Sequence, residues 1–501
     1  MKTPSRLKGL LKLGGRAALF TAPLWVITAP LAADWYDGRP PYTHPNEVAS
    51  QLSPYDPAPE IGFRNCQFSE CPSDRHGDRH PSRGPALPGI LGNETLLVNC
   101  GASHSEPRRG MFNSLNQAVS AAPPNATILI LPPGQGTTCV ESVHVHRPLT
   151  IATYGSGGRA VIQPDPREPC LVADIPLGDA LVIDGVRFIA RSAHKPCVTV
   201  EAGHVVMRNS SVDSRGSAWA FDVHESAELT IDSTRIETDA SAVHARRARV
   251  DIRNLDIDID GRNGTAVLDL GRTDCIDRDG GTVHGSVGLA LECSEGSVEG
   301  GSIIGGAVAV MASAGTRGLR ITDLKISKPD TGILLLPGQL GSVNLERPVI
   351  VRARDGIIVA PGAESQITGA VITDSLVSGI SVYGAGTLIS GNRIVGAADG
   401  IALLADGAFP PAISADIRGT SVIGDAGDGM IVENNLIANV KHAGVRVDGR
   451  VGNDRLRLHG KLIGNTVYAR SPAVCIDDRY NDDPVHVRAN MCNREWLPWP
   501  F

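Results

Sequence analysis

A five-residue pattern returns twelve times between residues 197 and 477, and it leaves the chain very few architectures. The segments are CVTVE (197), AFDVH (220), ASAVH (240), GTAVL (264), GLALE (288), AVAVM (307), GILLL (332), GIIVA (356), GISVY (379), GIALL (400), GVRVD (444) and AVCID (473). The first position is always Gly, Ala or Cys, and the fourth is always Val, Leu or Ile. Successive starts are 19–25 residues apart, except for intervals of 44 after Gly400 and 29 after Gly444. CLVAD (170) matches more loosely, 27 residues upstream of the first. In an extended chain, positions two and four face one way, and three and five the other. A second short strand closed by a polar or Gly turn follows, as in VVMRNSSV, VDIRNLDI, LISGNRIV, IVENNLIA and KLIGNTVY. Asn209, Asn254, Asn392, Asn434 or Asn435, and Asn465 recur at these turns. Asparagine tolerates a left-handed backbone there, and its amide can bond to the neighbouring coil.

Three short strands per repeat of about 22 residues, with no room for a helical crossover, make a stack of parallel coils, a β-helix. A β-sandwich would not keep one small and one aliphatic residue in register across twelve repeats, and a propeller blade needs about 40 residues. Composition agrees. The chain has 56 Gly but only 20 aromatics, so its core must be filled by Val, Ile, Leu and Ala. A formal charge of −7 excludes nucleic-acid binding by a broad basic surface.

Upstream, Lys2, Arg6, Lys8, Lys12 and Arg16 precede an apolar run, Ala17 to Leu31, that ends in Ala32-Ala33. This is the pattern of a secretory signal over 1–33, and its removal would take the formal charge from −7 to −12. No other segment is long and apolar enough to span a membrane. Residues 34–95 hold ten prolines and read as a leader or linker, with the β-helix domain over 96–501. Ten cysteines in an exported, periplasmic or secreted, chain point to disulfides, in sequential pairs 66–71, 100–139, 170–197, 275–293 and 475–492. Residues 111–122 space Phe112, Leu115, Ala118 and Val119 on one face of a short helix, expected to cap one end of the stack. The tail EWLPWPF is a candidate cap for the other end.

The order of this helix, then ATILILPPG, then VESVHVHRPLTIATYG, then the GIxV/Asn-turn coils resembles the right-handed parallel β-helix proteins of the pectin-lyase-like superfamily. The resemblance covers about residues 95–495. It implies an all-β fold of 12–13 coils with an N-terminal capping helix. It also implies a polysaccharide or cell-envelope glycan as partner, with lyase, epimerase or hydrolase chemistry among the possibilities. The superfamily also contains non-catalytic surface proteins, so a periplasmic or cell-surface scaffold stands as the alternative. Asn-Thr-Asp with Gly-His-Gly, as in polygalacturonases, and Asp-Pro-His-Asp, as in alginate epimerases, are both missing. Fold alone does not assign the reaction.

The resemblance further implies a substrate cleft on the outer face of the sheet built from these segments, where positions three and five would point. Glu201, Asp222, His224 and His244 gather there, with Arg246 and Arg247 in the next turn. Glu201, His224 and His244 are expected to form one ladder with rungs about 4.8 Å apart, flanked by Asp222. Histidine between carboxylates and arginine can act as acid or base, and arginine can neutralise a uronate carboxylate. The catalytic candidates are therefore Glu201, Asp222, His224, His244 and Arg246. The substrate-binding candidates are Arg247, Trp219, Tyr383 and Arg446. The competing reading of this cluster is a solvated polar face. A second cluster holds Arg446, Asp448, Asp477, Asp478, Arg479, Tyr480, Asp482 and Asp483. With Asp448 and Asp477 as rung neighbours, either the arginines neutralise them in a salt-bridged cap, or calcium sits among Asp448, Asp477 and Asp478. The long interval after Gly400 implies an inserted loop near 405–428 that could wall a cleft at this end.

Overall fold

A computed structural model describes residues 95–493, except 135–137, 192–193, 216–218, 261–284, 313–315, 337–342, 362, 384–385, 406–429, 452–453, 456–457, 470 and 482–484. The signal and leader segments, Cys66, Cys71, Cys275, GTAVL, Asp482, Asp483, nearly all of the loop after Gly400 and the aromatic tail lie outside the described residues.

The chain winds through three parallel sheets of 13, 16 and 13 strands, visiting each once per turn. One coil runs through Val198–Ala202, His204–Arg208 and Ser211–Asp213, and then Trp219–Val223 pairs in parallel with the first of these. This is the right-handed parallel β-helix that the resemblance implied. Inside the first sheet, Val198, Phe221, Val243, Leu289, Val310, Ile333, Ile357, Ile380, Ile401 and Val445 stack in one column, each buried. Burying each such side chain contributes about 1.5–3 kcal/mol.

The register corrects the sequence alignment in four places. Asp222 lies beside His244, not Ala242, so ASAVH is two residues out of step. AVAVM and AVCID slip the same way, because Ala290 meets Met311 and Arg446 meets Asp477. The strand Ser241–Arg246 pairs directly with Val287–Glu292, with no rung between them where the alignment had placed one, and GTAVL itself lies outside the described residues. The loose CLVAD match is a true rung, with Leu171 beside Val198. The slips share one cause. A strand pattern has period two, so a shift of two keeps the aliphatic residues inside and still exchanges every outward neighbour.

The small first position has a steric origin. A Cβ on Gly379 would lie 2.5 Å from Ile394 Cγ2 and 2.6 Å from the Gly400 carbonyl oxygen, closer than real contacts allow. The asparagines divide two tasks between neighbours. Asn209, Asn254 and Asn434 take the left-handed backbone, with φ of 50°, 49° and 55°. Asn392, Asn435 and Asn465, each 1% exposed, form a ladder with Asn490. Asn435 Nδ2 donates to Asn465 Oδ1 at 2.9 Å and to the Ile389 carbonyl at 2.9 Å.

The expected helix is shorter than its pattern. It spans Leu115–Ala121 with Ser114 as N-cap, while Met111–Phe112 forms a strand beside Thr95–Val98. Leu115, Ala118 and Val119 are buried against the end of the stack. Disulfides join Cys100 to Cys139, Cys170 to Cys197, and Cys475 to Cys492, with Cα separations of 5.2, 4.8 and 5.8 Å. Cys293 is also disulfide-bonded.

Candidate functional site

The outward positions of the first sheet form two columns. Thr199, Asp222, His244 and Ala290 make one. Continuing the same register by one or two residues aligns Glu201, His224, Arg246 and Glu292 in the other. The expected ladder of Glu201, His224 and His244 is thus replaced by one in which Arg246 follows His224. His244 instead sits next to Asp222, and this brings the two into contact.

Asp222 is the hub. Its Oδ1 lies 2.9 Å from His244 Nδ1, and its Oδ2 lies 3.3 Å from His224 Nε2. On the far side, His244 Nε2 stands 3.3 Å from Glu292 Oε1 as an ion pair. Trp219 stacks on the His244 ring, with centroids 4.8 Å apart and planes at 22°. The His244 and Glu292 side chains are 10% and 4% exposed, whereas that of His224 is 38% exposed. Glu201 and Arg246 are exposed beside them.

These contacts set the charges. Burial disfavours the Asp222 carboxylate, but its bonds to His224 and His244 outweigh this and hold it well below the usual carboxylate range. Burial also opposes charge on His244, yet Asp222 and Glu292 together push its pKa up to about 9. The bond to Asp222 raises His224 above its ordinary 6.5, against burial and the nearby Arg246. At neutral pH, His244 is therefore an imidazolium clamped between two carboxylates, and His224, at the rim, is raised above its ordinary value by Asp222.

Glu292 escaped the candidate list because GTAVL stood as a rung between it and His244, whereas their strands pair directly. In the true register Arg246 pairs with Glu292 and His244 with Ala290, so His244 reaches Glu292 on the diagonal. Other candidates lie elsewhere. Arg247 has turned out of the strand, with φ 50°, and pairs with Glu225 at 3.2 Å. Between the two clusters the outer face is apolar and buried, through Ala290, Met311, Leu334 and Ile358. Tyr383 lies beyond this stretch, five rungs from Arg246. Burial, then the charge of Asp355, push its hydroxyl up to about 12.

The second cluster is a salt-bridged array. Arg446, not Asp448, neighbours Asp477, which corrects the expected carboxylate pair. Asp448 is held by Arg446 and Arg450, which overcome its burial and lower its pKa to about 2. Asp477 is bound by Arg479 at 2.7 Å, and Arg450 lies 3.5 Å over the Tyr480 ring. Asp478 is exposed. Among the described residues, Asp448, Asp477 and Asp478 do not converge as metal ligands. The one ligand group that does, Cys100, Cys139 and Glu141, contains a disulfide.

No family model and no curated protein matches the chain. Solved structures of similar architecture include a variant of the catalytic domain of a GH87 alpha-1,3-glucanase in complex with nigerose, at 10% identity and TM-score 0.43, covering 81% of this chain and 70% of that one. A double mutant of the tailspike protein of E. coli bacteriophage HK620, in complex with a pentasaccharide, is 9% identical with TM-score 0.39, covering 79% of each chain. The A-module of the mannuronan C-5 epimerase AlgE6 from Azotobacter vinelandii is 14% identical with TM-score 0.36, covering 76% and 95%. No residue role is transferred from structures this distant. Among the described residues, no helix is long and apolar enough to cross a membrane.

Proposed function

We propose that this chain is an exported β-helix protein that acts on a polysaccharide by acid–base chemistry at Asp222, His224, His244 and Glu292. One observation carries this reading. Three buried or half-buried charges are organised behind a single solvent-reaching imidazole, His224. Nε2 of His224 is committed to Asp222, which leaves Nδ1 to exchange a proton with a substrate. Imidazolium His244 fixes Asp222 and keeps it anionic, as a positioning residue would. Exposed Arg246 and Glu201 flank the rim, and Arg246 is placed to take up a uronate carboxylate. Elimination or epimerisation beside that carboxylate suits the set best. Nδ1 would take the proton next to the carboxylate; in elimination the C–O bond to the leaving sugar then breaks and the imidazolium returns its proton to that oxygen, and in epimerisation solvent water delivers a proton to the opposite face.

A non-catalytic scaffold is the second reading, favoured by the apolar middle of the outer face and by the burial of Trp219 and Tyr383, at 8% and 6% exposure. Incubation with uronate and neutral glycans, following unsaturated and reducing ends together, separates the two. Turnover that falls at least about 100-fold in His224→Ala, and that in the parent protein is lost on acidification with a midpoint above pH 6.5, supports the enzyme. Glycan binding without turnover supports the scaffold.

A further inference from the structure

The turns that lead from the third sheet back to the first carry a concavity of about 560 Å³, far from His244. Its middle coil contributes Gly396, followed by Ala397 and Ala398, so almost no side chain fills the space there. The coil on one side supplies Asp374, Ser375 and Leu376, and the coil on the other supplies Asn439 and Lys441. Backbone bonds fix this order, with Asp374 N donating to Val395 O at 2.9 Å and Gly396 N to Ala438 O at 3.1 Å. The left-handed turns at Asp374 and Asn439, with φ of 58° and 57°, set these residues at the surface.

Two features point to a ligand. Asp374, Asn439 and Lys441 are exposed, and none makes a side-chain hydrogen bond or ion pair among the described residues. Ser375 lines the notch, is 1% exposed and has a hydroxyl without a partner, which is costly for a buried polar group. Leu376, at the edge of the notch, is 67% exposed. One carboxylate and one ammonium cancel, so the notch has no net preference for an ion. Its amide, acid and amine offer donors and acceptors for hydroxyl groups, and Leu376 offers an apolar surface for a C–H face.

We propose that this notch is a second binding site, taking a neutral, hydroxyl-rich saccharide segment. It is independent of the acid–base site, which lies about six to seven rungs, or ~30 Å, along the axis. Maltotetraose, laminaritetraose, chitotetraose and tetragalacturonate would be titrated calorimetrically into the full chain. The expected result is binding of at least one neutral tetrasaccharide. Its affinity should fall about tenfold or more in the Asp374→Asn/Lys441→Ala double variant and stay unchanged in His224→Ala. Both substituted side chains are exposed, and an unaltered melting temperature would establish that the double variant is folded. The assignment is overturned if no neutral tetrasaccharide binds, if the double variant binds as well as the parent, or if only tetragalacturonate binds and does so through Lys441.

Discussion

His244 has a role that no property of histidine alone would dictate. A carboxylate on each side makes its charged form the stable one, although it is almost wholly buried. The consequence for stability follows from the direction of the shift. A pKa raised from 6.5 to about 9 means that stabilisation from the imidazolium is complete below pH 6.5 and is lost as pH climbs to about 9. Asp222, shifted downward, contributes above its ordinary 3.8 and loses that contribution only in stronger acid. The melting temperature of the parent protein should therefore decline between pH 6.5 and 9 more steeply than that of His244→Gln. Parallel curves for the two proteins would show that the clamp does not set the charge of His244.

At the scale of the coil, stability depends on what can stack. The first-position glycines are required because the adjoining coil's carbonyl and a third-sheet isoleucine, or Val467 in the case of Gly444, already occupy the Cβ volume. Gly379→Ala should cost about 1–3 kcal/mol, measured by chemical denaturation. An exposed glycine such as Gly391, around which no atom lies within 4 Å of a Cβ, lacks that steric term. The asparagine ladder makes a different demand. Asn435→Ala removes four side-chain bonds, among them those from the buried Asn392 N–H and to the Ile389 carbonyl. Loss of about 3 kcal/mol or more is expected, at about one per bond removed. A loss below about 1 kcal/mol would mean that the amides rearrange.

Across the whole molecule, the sequence made the architecture legible because small and aliphatic positions recur wherever a coil must close. Cys170 and Cys197, placed at the same point of successive coils, were legible for the same reason. The outer face was not. A coil alignment rests on inward residues, and a slip of two leaves those residues inside while replacing every outward neighbour. His244 therefore looked like a partner of His224, and its true contacts, Asp222 and Glu292, came from pairing information that hydrophobicity does not carry. The notch at Gly396 was invisible for another reason, since it is defined by side chains that are missing from one coil and present on the two beside it.

The stack of Trp219 on His244 has an experimental consequence. Trp219 is the one tryptophan among the described residues, and it lies against a ring whose charge changes with a pKa near 9. The ring also rests on the next coil, and the charge depends on Glu292, one coil further still. Taken as the difference from a Trp219→Phe variant, which retains the chain's other four tryptophans, its fluorescence is thus a native optical probe. It reads imidazole protonation in the folded chain and, in a refolding chain, the moment when three successive coils have come into register.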